Sequence, residues 1–219
     1  MHSRDFRYHL LSIGVNREAN GATVRSAERD AFAISWTFAQ LGYWRAERNR
    51  CLTGAQATPP AIDAHLASCA ALGELDLLLF FWSGHLYSDA AVVETLGAVE
   101  NARLRVLIVD TCHADERMKR LEAAIDRVPD DRRPVVLAAC APDARSRENS
   151  VNGFFTGALL RQLRRRRRPG VKTLDLLDAF NQAADDAVRR TGREPLFSTN
   201  GAGRLRLPIL AQPPLPLEP

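Results

Sequence analysis

The chain has 219 residues, 46% hydrophobic and 26% charged, with a formal net charge of +4. That is the composition of a folded globular protein and leaves room for one large domain or two small ones. No apolar run approaches the roughly 20 residues of a membrane helix, and the opening "MHSRDFRYHLLSIGV" lacks the order of a signal peptide. A cytoplasmic protein with no membrane partner is expected.

Apolar, β-rich runs alternate with helical periods along the chain. A first strand is predicted over residues 8–15, then a helix over 24–43 carrying Ala27, Ala31, Ile34, Phe38 and Leu41 near the 3.6 period and Gly42 as its stop. A weaker strand falls within 46–52. Thr58 then caps a helix with Pro59 and Pro60 in its first turn. Further strands are predicted at 76–82, 104–109 and 134–140, and helices at about 91–101, 115–127, 153–164 and 173–191. "PLFSTNGAGRLRLPI" adds a last strand. The Pro-rich end, residues 211–219, reads as an extended tail, and residues 1–210 as one domain.

Near-continuous apolar strands alternating with helices imply a mostly parallel sheet of about six strands, covered on both faces. In such sheets the ligand lies beyond the carboxyl ends of the strands. Two strands there end on reactive side chains: "LDLLLFFWSGHL" runs into His85, and "RVLIVDTCHA" into Asp110, Cys112 and His113. A thiol is a good nucleophile only as thiolate, which needs a lowered pKa or a base beside it. His85 is placed to be that base. His113 points elsewhere if the chain is extended, and is not assigned to catalysis.

Cys51, Cys69 and Cys140 read as free structural thiols. The four cysteines form no CxxC pair and show no metal-ligand spacing with the five histidines, so no metal or other cofactor is expected. His65 reads as a surface or boundary residue of its helix. The run Arg164 to Arg168 reads as a solvated loop, and no nucleic-acid partner is expected.

"FFWSGHL" and "LIVDTCHA" resemble the His and Cys motifs of caspase-like cysteine peptidases, nearest to the metacaspase and bacterial branch. "HLLSIGVN" with "SAERDA", "VVLAACAPDARSRENSVNGFFTGALLRQL" and "REPLFSTNG" extend the resemblance, in the family's order, over roughly residues 8 to 205. It implies a caspase-like α/β/α sandwich and a cysteine endopeptidase acting on protein or peptide substrates. It further implies Cys112 as nucleophile, His85 as catalytic histidine, and activation by a partner protein. Asp110, two residues before the nucleophile, and Asp30 in "AERDA" match the substrate-pocket acids of the branch that cleaves after Arg or Lys. Three departures stand out. Leu86 replaces the Gly after the histidine, Ala114 and Asp115 replace the usual Ser-Gly, and 27 positions separate His85 from Cys112 against roughly 50 in caspases. The alternative is a catalytically weakened domain serving as an interaction or regulatory module.

Overall fold

The apolar runs of the sequence become the inner strands of one sheet. The computed structural model describes residues 6–16, 26–45, 47–71, 73–84, 93, 96–112, 114–141, 152–191, 196–198 and 205–210. Strands β1 (Tyr8–Val15), β2 (Asn49–Thr53), β3 (Leu77–Gly84), β4 (Arg105–Cys112) and β5 (Val135–Ala141) are parallel, and β7 (Leu196–Ser198) adds antiparallel to β5. The order is β2-β1-β3-β4-β5-β7. Parallel strands need covered crossovers, and helices supply them.

Alternation within each run explains why the strands are apolar throughout. Tyr8 and Leu10 of β1, with Leu77, Leu79 and Phe81 of β3, face one core. Leu11 and Ile13, with Leu78, Phe80 and Trp82, face the other. Successive side chains point to opposite faces, so burial of both faces requires hydrophobicity at every position. The first core is closed by α1 (Ala27–Gln40), α4 (Phe154–Arg165) and α5 (Leu176–Thr191). The second is closed by α2 (Pro59–Ala70) and α3 (Ala114–Arg127) together with Val93, Leu96 and Val99. The result is the expected α/β/α sandwich around a six-stranded, mostly parallel sheet.

Most predicted elements are present within a few residues. Thr58 accepts a hydrogen bond from the Ala61 amide, as a helix cap should. Of the helix expected over 91–101, Val93 and residues 96–98 are helical among the described residues.

Two expectations change. Residues 173–175 do not open a helix; they form β6 (Thr173–Asp175), paired antiparallel with β8 (Arg206–Pro208) in a separate two-stranded sheet. Leu174 and Leu207 are thereby buried against the first core. The arginine run is also not wholly a loop. Arg164 and Arg165 occupy the last turn of α4, where cations favour the helix dipole. Arg166 donates back to the Gln162 carbonyl and pairs with Asp178 on α5. The Pro-rich end lies outside the described residues.

The chain segment 205–210 is fastened to the end of α1. Gly42, at φ +100°, turns the chain, the Leu210 amide donates to the Leu41 carbonyl, and the Tyr43 hydroxyl donates to the Pro208 carbonyl at 2.6 Å. Tyr43 is fully buried, so its hydroxyl cannot turn to water. Tyr43→Phe is expected to cost about 1–2 kcal/mol by leaving that carbonyl short of a donor. Equilibrium denaturation should show a lower midpoint with an unchanged slope.

Candidate active site

Strands β3 and β4 are neighbours, paired in parallel with Ser83 opposite Asp110. Their carboxyl ends therefore emerge at the same edge of the sheet, side by side. Gly84 is the last described residue before His85, and β4 ends on Cys112. His85 and the Cys112 side chain themselves lie outside the described residues, as does His113.

Gly84 shows how tightly that edge is built. Its φ is +91°, a conformation side-chain-bearing residues rarely adopt, and a Cβ there would lie 2.2 Å from the Val15 carbonyl oxygen and 2.7 Å from the Ala27 side chain. Only a glycine fits between β1 and the start of α1. The direction in which the chain leaves β3 is thus set by packing.

Beneath the edge, on the face that carries α1 and α4, the structure brings Asp30 and Asp110 together. Asp30 is 1% exposed and Asp110 9%. The Asp30 carboxylate accepts the Gly153 amide at 3.2 Å, the Asn152 side-chain amide at 2.8 Å and the Ser83 hydroxyl at 3.1 Å. Asp110 Oδ2 accepts the Thr156 amide at 3.1 Å and the Thr156 hydroxyl at 2.6 Å. Gly153 stands at the N-cap of α4 with no side chain of its own to cap the helix. The two carboxylates take that role from α1 and β4, answering amides that the helix leaves unpaired. A Cβ on Gly153 would sit 3.0 Å from Asp30 Oδ2 and 3.1 Å from Asp110 Oδ2, so both acids border the same point.

Burial dominates the electrostatics. It pushes the Asp30 carboxyl up to about 7, with repulsion from Asp110 adding to the rise and the bonds to Asn152, Gly153 and Ser83 opposing it. It pushes Asp110 up to about 6, against the lowering effect of Thr156. Burial thus favours the protonated form of the pair into the near-neutral range, and a nearby cation would favour its ionised form. Thr156 occupies only Oδ2 of Asp110, and its Oδ1 has no hydrogen-bond donor among the described residues.

The remaining thiols behave as expected in part. Cys51 and Cys69 are free, and burial pushes each up to about 11, which leaves them poor nucleophiles. Cys69 is not alone, however. His9 on β1, and His65 and Cys69 on α2, place their ligand atoms within 4.8 Å of one another. His65 is therefore a partner of a buried cluster, and not merely a boundary residue. The signal was available in the sequence: His65 and Cys69 are four apart, on one face of the helix. The spacing of His9 gives no such hint, because a strand brings it in.

A caspase domain family model matches residues 9–201 of the chain. No curated protein matches. Among solved structures, the chain is similar to caspase-1 from Spodoptera frugiperda, at 13% identity and TM-score 0.57, over 94% of this chain and 88% of that one. It is also similar to the pro-sf-caspase-1 structure, at 14% identity and TM-score 0.50, over 97% and 90%. The likeness of fold agrees with the sheet and helix layers described above, and the match of motif order spans most of the sequence. The chain belongs to the caspase domain family of cysteine peptidases.

Proposed function

We propose that the chain is a cysteine endopeptidase of the metacaspase-like branch that cleaves protein substrates after Arg or Lys. The observation that supports this reading is the pairing of β3 with β4, which brings Gly84, the residue before His85, and the end of β4 at Cys112 to one edge of the sheet, with the buried carboxyls of Asp30 and Asp110 nearby. Cys112 attacks the scissile carbonyl as thiolate, and a thioester acyl-enzyme forms as the amine leaves. His85 protonates that amine and then activates the water that hydrolyses the thioester. Backbone amides at Cys112 and Leu86 stabilise the oxyanion, each worth a few kcal/mol.

Asp110 reads the substrate cation directly through Oδ1, and Asp30 supplies a second negative charge behind it. A guanidinium against two desolvated carboxylates is favoured by charge-assisted bonding, whereas an acidic side chain is repelled. The reading places the enzyme in the cytoplasm, with a partner protein as its activator. A second reading, a regulatory domain of weakened activity, is favoured by Leu86 and by the commitment of both acids to holding α4.

The first test is a fluorogenic peptide ending in Arg. Turnover is expected in the parent chain and is expected to vanish in Cys112→Ala; equal rates in the two would rule out the dyad. Asp110→Asn should lower kcat/KM for Arg substrates by about 10- to 100-fold, the worth of one bond to a charged group.

Specificity should also depend on pH in a defined direction. The carboxyl groups of the pair are raised, so they are protonated in the free enzyme at low pH and lose their protons as pH rises through about 6 to 7. A cation is bound by the ionised form. The ratio of kcat/KM for an Arg substrate to that for its neutral citrulline isostere should therefore rise from pH 5 to pH 8. Taking the ratio cancels the titration of Cys112 and His85. A ratio that stays flat in the parent chain would remove the two acids from substrate recognition.

A further inference from the structure

We infer that His9, His65 and Cys69 form a binding site for a soft d10 cation, Zn2+ or Cu+, at the end of the sheet remote from the candidate active site. The three residues come from two elements that the fold presses together. His9 is the second residue of β1, on the face that also buries Leu11 and Ile13. His65 and Cys69 lie one turn apart on α2, beside Ile62 and Leu66 of the same core. Their ligand atoms fall within 4.8 Å of one another. Tetrahedral zinc holds imidazole nitrogens at about 2.0–2.1 Å and thiolate sulfur at about 2.3 Å, so a cation at the centre needs only small side-chain rotations.

The chemistry of the donors suits such an ion. Burial lowers both imidazoles, His9 to about 4, with further lowering of His9 by His65, Arg48 and Arg50, and of His65 by Arg50. Both rings are then neutral at physiological pH, as ligands must be. Their Nε2 atoms stand 2.8 Å apart, so one ring donates to the other.

A second observation points to a missing partner. His9 is 2% exposed, yet its Nδ1 has no hydrogen-bond partner. Either tautomer leaves that nitrogen unanswered: as a bare lone pair if His9 donates through Nε2, or as a stranded N–H if it accepts there. A cation held by both rings displaces the ring-to-ring bond, taking the lone pair of His9 at Nδ1 and that of His65 at Nε2.

On binding, the Cys69 S–H bond breaks, its proton goes to solvent, and the sulfur lone pair forms the metal–thiolate bond. No change of oxidation state is involved. Thiolate and imidazole together select Zn2+ and Cu+ over hard cations such as Mg2+ and Ca2+. The nearby charges are Arg48 and Arg50, both positive. With one thiolate, Cu+ makes a neutral site and Zn2+ a singly positive one, so Cu+ is the better electrostatic match.

Position argues for a structural clip. Val15 lies six residue steps beyond His9 along β1, about 20 Å at 3.3 Å per residue, and is level with Gly84 at the candidate active site. The bound ion would join α2 to β1 and leave the reaction untouched.

The test uses the full chain, loaded in separate arms with Zn2+ and, anaerobically with reductant, with Cu+. One ion per chain is expected in at least one arm, with Tm raised by about 5–10 °C at saturating metal. Both effects should disappear in His65→Gln and in Cys69→Ser. They should persist in Cys51→Ser and Cys112→Ser, which separates this site from ordinary thiol capture. His65 is only half-buried, so His65→Gln remains folded and serves if Cys69→Ser does not. Absence of stoichiometric binding in both arms, or binding that survives His65→Gln, would overturn the inference.

Discussion

Two buried carboxylates hold the first turn of α4 against the ends of β3 and β4. Asp30 and Asp110 reach the helix start from different elements and accept its free amides, because Gly153 offers no cap of its own. Charge in a dry interior is costly unless it is hydrogen-bonded, and here Asn152, Gly153 and Thr156 of the anchored segment supply the bonds, with Ser83 of β3 adding one to Asp30. The same geometry places two raised carboxyl groups directly under the strand ends. Under the proposed function, the stability of the helix start and the recognition of a substrate cation draw on one pair of side chains.

The sheet divides the molecule into two ends with different chemistry. The carboxyl end gathers Ser83, Asp110 and Cys112 on adjacent strands, in the place where parallel sheets receive ligands. The amino end holds neutral imidazoles and a protonated thiol. Burial drives both sets away from their ordinary protonation equilibria, in opposite directions: acids upward, histidines downward. An environment that raises the acids favours their neutral form, and one that lowers the histidines keeps lone pairs free.

Much of the fold was legible in the sequence because its signals are local. Continuous apolar runs such as 77–82 and 106–109 announce strands buried on both faces, and Thr58 with two prolines announces a helix start. What the sequence did not disclose depends on encounters between distant segments. Residues 173–175 extend the helical period of α5, yet pairing with 206–208 wins, since it buries Leu174 and Leu207. Arg166 looks like one more solvated cation until α5 brings Asp178 to it. In the site, Asp30 and Asp110 were recognisable by their places relative to motifs, but their shared task at the start of α4 was not. That task runs through Gly153, more than forty positions beyond Asp110. The His9 cluster was invisible for the same reason, although half of it was written in the spacing of His65 and Cys69.

Gly84 has an implication for how such sequences are interpreted. Its lack of a side chain is demanded by the neighbouring backbone of Val15 and by Ala27, not by any step of bond cleavage. Selection for a folded molecule alone would preserve it. A descendant that had lost its nucleophile would go on displaying this part of the signature, so the glycine certifies the scaffold and only the sulfur and imidazole certify the chemistry.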